Sequence, residues 1–330
     1  MDRERAISRL RGCYITLPTM FRDTDGLPVD PDAIRRHVRF LIDAGVRTGN
    51  GVLLATGAAG DFSTLSADER LTVAEAVVAE AAGAVPVAIG AQTTSTQELV
   101  KLAAAAGEIG AEFIQVSPPF YFSHTDGDFH DYIRAASEAA GDVGIIIYNT
   151  YWTSHGLSID SIEHALELPN VVGLKWSTTD SGFMEFEQAV SRFADRLSII
   201  DNQLRFVTSH ILGARAIEVH ACTYWPEWGI RVWELLESGE YVEAQLELVR
   251  VAMPFMALWH EMESYTGGDG YLDKLCMELV GLGSSRCRPP TRDVRERYRA
   301  QTLAMLRQCG VPRLADRVDD AIMAAPVPAS

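Results

Sequence analysis

Short apolar segments alternate with longer amphipathic segments along the first two thirds of the chain. Most of the short segments are hydrophobic at every position, a pattern typical of strands that are buried on both faces of a parallel sheet. The eight predicted strands are Cys13–Leu17, Gly51–Thr56, Val85–Gly90, Phe113–Ser117, Gly144–Tyr148, Val171–Lys175, Leu197–Asp201 and Ala216–His220. The segments between them predict helices, among them Asp30–Ala44, Ala67–Ala82, Thr96–Gly107 and Asp128–Ala140. Ser66 and Ser95 stand at helix-capping positions.

Eight strand-then-helix units in succession favour a closed (β/α)8 barrel, the TIM barrel. The alternative is an open doubly wound sheet, but no GxGxxG follows the first strand and no GxxxxGK[ST] occurs. From about Trp228 the strand pattern stops, and we predict helices with a turn at Gly267–Gly270 and a break at Pro289–Pro290. The predicted division is therefore a barrel over residues 1–227 and a C-terminal helical extension over residues 228–330 that packs on it.

Composition and charge exclude several classes of partner. The 330 residues are 47% hydrophobic with a formal net charge of −16, which argues against nucleic acid and anionic membranes as partners. No apolar run is long enough for a membrane helix, and the charged N-terminus lacks the apolar core of a signal peptide, so we expect a cytoplasmic protein. The five scattered cysteines show no CxxC spacing, so we expect buried thiols and neither a metal nor a cofactor.

Lysine is rare in this chain, and one lysine stands in an unusual place. Only Lys101, Lys175 and Lys274 occur among 29 basic residues, and Lys175 lies inside the apolar run VVGLKW. Arginine cannot act as an amine nucleophile, whereas a desolvated lysine can. In a (β/α)8 barrel the chemistry lies where the strands end, and Lys175 ends the sixth predicted strand as Tyr148 ends the fifth.

An ordered series of segments resembles the dihydrodipicolinate synthase / N-acetylneuraminate lyase family of Schiff-base-forming class I aldolases. The resemblance covers most of the chain. Thr19-Met20-Phe21 stands where the family has TPF, and Gly57-Ala58-Ala59-Gly60-Asp61 stands where it has GTTGE. The further matching segments are VPVAIGAQTTST, VSPPFYF, IIIYNT, VVGLKWS, LGARAIEVHACTYWPE and GYLDKLCMELVGLGSSRCRPP.

The resemblance implies roles for particular residues. Lys175 would form the imine, Tyr148 would be the acid/base phenol, and the turn from Gly57 to Gly60 would receive the substrate carboxylate. The candidates for substrate binding are Gly57, Ala58, Ala59, Thr19 and Asn149, of which Asn149 is also a candidate for ordering its loop. The chemistry agrees, because an amine that attacks a ketone gives an iminium that draws electrons from the adjacent carbon. Successive backbone N–H groups in a turn can hold a carboxylate.

The sequence departs from the family pattern at three places. The alanines of the turn replace two threonines, and no arginine occurs between Tyr148 and His155, where dihydrodipicolinate synthases bind the carboxylate of the second substrate. Both departures argue against a role in lysine biosynthesis. The third departure is Glu218, a candidate catalytic residue on the eighth strand where the family has an apolar residue. It either faces the barrel mouth, where it could pair with Lys175, or faces the helices and meets an arginine.

Three functions fit these residues. The first is an aldolase or lyase that acts on a 2-oxo acid with pyruvate as donor or product, and with a hydroxylated or aromatic aldehyde as the other partner. The second is a dehydratase of a 2-keto-3-deoxy sugar acid that uses the same imine. The third is a non-catalytic ligand-binding protein on the same fold.

Other residues near the strand ends carry weaker expectations. Aromatic side chains there are expected mainly to pack, with substrate stacking as the alternative: Tyr151, Trp152, Trp176, Tyr224, Trp225 and Trp228. His155, His220 and Cys222 are expected to be packing or loop residues. The resemblance also implies a homo-oligomer, either a dimer or a tetramer, with Phe120-Tyr121 at a dimer contact.

Overall fold

Eight parallel strands close into one barrel in the order of the sequence, and β8 pairs with β1. The computed structural model describes residues 2–151, 156–177 and 184–314. The strands are β1 Gly12–Thr16, β2 Gly51–Ala55, β3 Val87–Gly90, β4 Phe113–Val116, β5 Gly144–Thr150, β6 Val171–Ser177, β7 Ser198–Asp201 and β8 Ala216–Glu218. The predicted (β/α)8 fold is confirmed, since each predicted strand agrees with the structure to within two residues at both ends.

Helices follow the strands and surround the barrel. They are α2 Pro31–Asp43, α3 Ala67–Ala81, α4 Thr96–Ile109, α5 Asp126–Ala140, α6 Ile159–Ala165, α7 Glu185–Phe193, α8 Phe206–Leu212 and α9 Pro226–Glu237. Ser66 and Ser95 cap α3 and α4 as predicted, because their side chains accept from the backbone N–H groups of Glu69 and Glu98. Such caps satisfy N–H groups that have no partner inside the helix.

A short helix that the hydrophobic pattern did not predict, α1 Arg3–Arg9, lies at the amino ends of the strands. Its Ala6 and Ile7 pack against a cluster of buried side chains in the barrel interior. That cluster consists of Leu10, Tyr14, Val52, Leu54, Ala88, Phe113, Ile146, Val172, Ile200 and Ala216. This apolar cluster fills the barrel interior toward the amino ends of the strands. Polar inward-facing side chains are therefore concentrated at the carboxyl ends.

The C-terminal extension is helical, as predicted. Its helices are α10 Tyr241–Glu247, which continues through a π-helical turn at Leu248–Ala252 into α11 Met253–Glu263, followed by α12 Tyr271–Leu279 and α13 Arg295–Cys309. Helix α9 contacts β1 and begins at Pro226, so it spans the predicted boundary between residues 227 and 228. The division of the chain at that boundary stays a prediction.

The extension reaches the mouth of the barrel through the loop before α12. Gly270 has a φ of 75°, and a Cβ on it would lie 2.4 Å from the carbonyl oxygen of Ala59. Only glycine permits both this backbone conformation and such a close approach. The loop therefore lies directly on the turn that follows β2.

The state of the cysteines and the length of the helices both bear on the expectations from composition. All five cysteines are buried with free thiols. Within the described ranges, no helix is both long enough and apolar enough to cross a membrane.

Candidate active site

Lys175 and Tyr148 stand opposite each other on neighbouring strands near the mouth of the barrel. They are register partners in the pairing of β5 with β6, and both side chains are buried. The Nζ atom of Lys175 lies 4.6 Å from the centroid of the Tyr148 ring and 5.2 Å from that of Tyr14. An ammonium over the face of an aromatic ring is attracted by the ring's quadrupole, so both rings hold the amine in place.

Glu218 faces the interior of the barrel and forms an ion pair with Lys175. Its Oε2 atom lies 2.6 Å from Nζ, and its Oε1 accepts a hydrogen bond of 2.7 Å from the hydroxyl of Thr16. Of the two orientations that the sequence left open, the one toward the barrel mouth is the one found. A buried charge pair is stable only where further hydrogen bonds satisfy its atoms, and Thr16 supplies one of them.

This carboxylate controls the charge of the lysine. Burial is the largest single influence on the pKa of the Lys175 amine and lowers it, but the charge and hydrogen bond of Glu218, together with Tyr148 and Asp269, outweigh burial, and the net pKa lies above the usual value. The amine is therefore an ammonium at neutral pH. It must lose a proton before it can act as a nucleophile.

The phenol of Tyr148 is held by two side chains from the strand ends. Its oxygen accepts a hydrogen bond of 3.0 Å from the amide of Asn202, and Thr150 also bonds to it. Burial raises the pKa of Tyr148, while the nearby Lys175 charge opposes that rise. The phenol thus keeps its proton at neutral pH and can donate it.

The turn after β2 presents unpaired backbone donors. The N–H of Gly60 donates to the carbonyl of Gly57 at 3.0 Å, and the N–H of Asp61 donates to Ala58 at 3.2 Å. In the described parts of the chain, the N–H groups of Ala58 and Ala59 have no hydrogen-bond acceptor. Two such neighbouring donors can bind an anion.

Gly57 fixes the position of this turn above Thr16. A Cβ on Gly57 would lie 2.6 Å from the Leu54 side chain and 2.8 Å from Cγ2 of Thr16. Because Thr16 also bonds to Glu218, the turn and the charged pair share one neighbour. The structure therefore brings the Gly57–Ala59 turn, Lys175, Tyr148 and Glu218 together at the barrel mouth.

Thr19 braces the turn, together with a second buried ion pair. The hydroxyl of Thr19 donates to the carbonyl of Gly60 at 2.7 Å, and its N–H donates to Asp61 at 3.2 Å. The Nζ atom of Lys274 on α12 lies 2.8 Å from Oδ2 of Asp61, and both side chains are buried. This pair connects the turn to the C-terminal extension. Lys274 is thus, like Lys175, a buried lysine.

Asn149 has a comparable positioning role in the loop after β5. Its amide donates to the carbonyl of Leu157 at 3.2 Å and accepts from the N–H of the same residue at 2.8 Å. Contact of Thr19 and Asn149 with substrate stays a prediction, because the bonds shown here hold the backbone around the site. Trp152 and His155 lie outside the described residues.

The site also contains His220, for which the sequence predicts a packing or loop role. The Nδ1 atom of His220 lies 3.1 Å from Oδ1 and 3.3 Å from Oδ2 of Asp273, and its ring stacks on Phe255. Burial lowers the pKa of His220, but Asp273, Asp269 and Glu218 outweigh it and raise the pKa to about 9. The spacing of two between Glu218 and His220 on a strand could have indicated a shared face. Asp269 and Asp273 come from the extension, and no sequence signal placed them near the mouth.

Most of the aromatic residues near the strand ends pack in the core. Trp176, Tyr224 and Trp228 are buried in the hydrophobic layer around the barrel, Trp225 packs against that layer, and Tyr151 is partly exposed. The structure therefore gives a packing role to four of them: Trp176, Tyr224, Trp225 and Trp228.

Among the described residues, one group of side chains has the composition of a metal site: His130, His164 and Glu167, with ligand atoms within 4.8 Å of one another. It belongs to the outer layer, where His130 lies on α5 and His164 on α6. The two imidazole rings stack face to face with centroids 3.7 Å apart and planes 4° apart. Their lone pairs lie in two parallel planes, so they do not converge on one ion between the rings.

A (β/α)8 barrel with a buried lysine and tyrosine at adjacent strand ends defines an enzyme of the lyase and aldolase class. The chain belongs to the dihydrodipicolinate synthetase family, whose model matches residues 10–309. A relative from Methanopyrus kandleri, named 4-hydroxy-tetrahydrodipicolinate synthase, is 30% identical over 87% of this chain and 92% of its own length. One of the same name from Methanospirillum hungatei is 26% identical over 86% of this chain and 94% of its own.

Solved structures show the same fold. The dihydrodipicolinate synthase of Acinetobacter baumannii, complexed with pyruvate, superposes with a TM-score of 0.79 at 22% identity, over 92% of this chain and 99% of its own. The N-acetylneuraminate lyase of Fusobacterium nucleatum gives a TM-score of 0.77 at 18% identity, over 91% and 98%. The family resemblance stated from the sequence is therefore confirmed.

Proposed function

We propose that this protein is a class I aldolase or lyase that forms an imine between Lys175 and the keto group of a 2-oxo acid. The observation that carries the proposal is the placement of Nζ, which lies at a buried strand end between the Glu218 carboxylate and the Tyr148 ring. A purely ligand-binding protein needs neither a buried amine nor a phenol beside it, which disfavours the non-catalytic alternative.

Imine formation requires proton transfers that these side chains can perform. Glu218, at 2.6 Å, accepts the ammonium proton of Lys175, and the neutral amine adds to the keto carbon. The resulting carbinolamine loses water when the proton now on Glu218 reaches its hydroxyl, directly or through the phenol of Tyr148, and this leaves Glu218 ionised again. The carboxylate of the substrate binds the free N–H groups of Ala58 and Ala59.

The carbon–carbon bond then breaks in a 4-hydroxy-2-oxo acid adduct. The iminium draws the electron pair of the C3–C4 bond into an enamine while Glu218 accepts the proton of the 4-hydroxyl, and an aldehyde leaves. The same proton returns to C3, and water hydrolyses the pyruvate imine to free Lys175. In the opposite direction these steps join pyruvate to an aldehyde.

The pyruvate half of this reaction is supported by the pyruvate bound in the Acinetobacter baumannii dihydrodipicolinate synthase, whereas the argument for the aldehyde half rests on residues of this chain. Two family threonines are Ala58 and Ala59 here, and no arginine occurs between Tyr148 and His155. Arginine binds carboxylates through two parallel hydrogen bonds, and its absence favours an aldehyde that carries less negative charge than aspartate semialdehyde.

A dehydratase is the second candidate, and the Thr16–Glu218 hydrogen bond beside Nζ favours it. A carboxyl group at that position could protonate a leaving hydroxyl on the imine adduct of a 2-keto-3-deoxy sugar acid. The two reactions differ in their products, which are pyruvate and an aldehyde in one case and a dehydrated 2-oxo acid in the other. Product analysis by mass spectrometry decides between them.

Reductive trapping tests the proposed imine. Incubation with pyruvate and sodium borohydride should add one pyruvate-derived mass per chain, and peptide mapping should locate it on Lys175. Lys175→Arg should abolish the label, whereas Lys101→Arg, at an exposed position on α4, should leave it unchanged. A label on Lys101 or Lys274, or no label at all, would overturn the proposal.

We also propose that the aromatic pair after β4 forms a contact in a homodimer or homotetramer. Of the predicted contact residues Phe120 and Tyr121, Phe120 packs edge to face on Phe62. Tyr121 is 87% exposed, and its ring meets that of Phe122, which is 68% exposed, edge to face at 4.8 Å. Large apolar side chains that are exposed together mark protein contacts more often than isolated ones do. Light scattering should show an oligomer for the unaltered protein and a smaller particle for Tyr121→Asp/Phe122→Asp.

A further inference from the structure

The pair formed by His220 and Asp273 has a feature that packing alone does not require. Asp273 is only 1% exposed and occupies Nδ1, whereas His220 retains 27% exposure. Within the described residues, Nε2 of His220 has no hydrogen-bond partner. An imidazolium donates from both nitrogens, so one charged donor remains available near Glu218.

Carboxylates outnumber cations around this donor. Asp273 on α12, Asp269 in the preceding loop and Glu218 on β8 all act electrostatically on His220, and the neutral ring of Phe255 covers it from α11. Glu218 is matched by Lys175 and Asp273 by His220. Asp269 accepts a hydrogen bond from the N–H of Gly270 at 2.7 Å and shares the charge of His220 with Asp273, and it also acts on Lys175 and Tyr148. Burial raises the pKa of Asp269, and the charge of His220 opposes that rise.

Such a charge distribution selects against a second carboxylate on the substrate. An additional anion would meet Asp269 in a site of low dielectric constant, where repulsion between like charges is strong. A neutral hydroxyl has no such penalty, because it can accept from the imidazolium and donate to a carboxylate at the same time.

We propose that His220, Asp269 and Asp273 form a second subsite that binds a neutral, hydroxylated group on the aldehyde half of the substrate. In this arrangement His220 donates from Nε2, Asp273 fixes the orientation of the ring, and Asp269 accepts from a substrate hydroxyl and excludes a second carboxylate. The inference rests on the proposed function, since the first subsite is the imine site at Lys175.

A purely structural role is the competing interpretation. The pair also joins β8 to α12, so its loss would lower stability whatever the substrate. The two interpretations differ in substrate dependence, because only a subsite distinguishes a hydroxylated aldehyde from an unhydroxylated aldehyde of the same length.

The test compares three aldehydes as acceptors of pyruvate in the aldol direction: glyceraldehyde, propionaldehyde and glyoxylate. Glyceraldehyde and propionaldehyde have the same carbon chain with and without hydroxyls, and glyoxylate carries a carboxylate. The matched variant is His220→Phe/Asp273→Asn, which keeps a ring against Phe255 and removes both charges together. Exchange of the pyruvate methyl protons with deuterium, followed by NMR, reports the imine and enamine steps alone.

We expect the unaltered protein to prefer glyceraldehyde over propionaldehyde by roughly 10- to 100-fold in kcat/KM, the effect of one or two hydrogen bonds to charged groups. The double variant should lose that preference, because its kcat/KM for glyceraldehyde should fall by a larger factor than either its kcat/KM for propionaldehyde or its rate of deuterium exchange. Asp269→Asn should raise kcat/KM for glyoxylate.

Several results would overturn the subsite. These are a preference for glyceraldehyde that survives in the double variant, an equal loss for both uncharged aldehydes, and faster reaction with glyoxylate than with glyceraldehyde in the unaltered protein. Absence of addition to all three aldehydes while deuterium exchange proceeds would also overturn it. Absence of deuterium exchange in the unaltered protein would instead refute the proposed imine function.

Discussion

Glu218 and Lys175 form a buried ion pair in which Oε2 lies 2.6 Å from Nζ and each side chain is only 5% exposed. The pair keeps the Lys175 amine protonated and places a carboxylate at hydrogen-bonding distance from it. Removal of one partner from a buried pair leaves an uncompensated charge, so substitutions here affect the protonation of the other partner directly.

Glu218→Gln should move imine formation to lower pH. Burial lowers the pKa of Lys175, and the Glu218 carboxylate is the largest of the influences that raise it; without Glu218, only Tyr148 and Asp269 oppose the effect of burial. The neutral amine is then more abundant at pH 7, so borohydride trapping of pyruvate should persist, and its rise with pH should begin earlier. Turnover of a complete aldol substrate should fall about a hundredfold, because the base for the 4-hydroxyl is lost.

Glu80→Gln is the matched control, since Glu80 bonds to Arg39 between two outer helices. It should leave both the trapping profile and the turnover unchanged. If the Glu218 variant behaved like this control in both assays, Glu218 would have no part in the chemistry.

Tyr148→Phe should lower turnover by about a hundredfold or more, the usual scale for a lost acid/base group. The variant keeps the aromatic ring against Nζ of Lys175 and loses only the hydrogen bonds of the phenol with Asn202 and Thr150. The free energy of unfolding should therefore fall by about 1 kcal/mol. Steady-state kinetics and urea denaturation measure the two effects. A large loss of stability with near-normal turnover would assign Tyr148 to packing.

Lys274→Met should destabilise the protein strongly. The substitution leaves Asp61 as a buried carboxylate without its cation, a change that typically costs about 3–5 kcal/mol. Adding Asp61→Asn to the same chain should recover part of that loss, because no unpaired charge remains. Lys101→Met, at an exposed site, serves as control and should change the urea midpoint little. Equal midpoints for Lys274→Met and Lys101→Met would show that the pair does not stabilise the fold.

The protein should not condense pyruvate with aspartate semialdehyde efficiently, although two relatives are named 4-hydroxy-tetrahydrodipicolinate synthase. Neither turn threonine is present, and the loop after β5 offers no arginine for the second carboxylate. A coupled assay with a reductase that consumes the product measures the activity. Efficient turnover there would mean that other residues bind the second substrate.

Local sequence patterns predicted the strands, the capped helices and the positions of Lys175 and Tyr148 at neighbouring strand ends, because these depend on neighbouring residues. The apolar run around Lys175 indicates a buried strand, and burial of an amine is itself unusual enough to indicate chemistry. Helix α1 was missed because its seven residues are mostly polar, and only Ala6 and Ile7 contact the barrel interior.

The contributions of the C-terminal extension could not be predicted in this way. Asp273 lies on α12, which reads from the sequence as an ordinary amphipathic helix, and its partner His220 is 53 residues away. The orientation of Glu218 also stayed open in the sequence, because a shift of one residue in a short strand reverses the direction of every side chain. The ion pair with Lys175 in the structure resolves that orientation.

Three charged groups that reach the barrel mouth or its turn come from one short stretch of the extension, Asp269, Asp273 and Lys274. Gly270, in the same stretch, contacts Ala59 directly. Selection acting on these six residues could therefore alter substrate preference while the eight strands and Lys175 remain unchanged. For protein engineering, the same stretch is a compact target for a focused library, in which Lys274 and Gly270 are kept to hold the turn while Asp269 and Asp273 are varied.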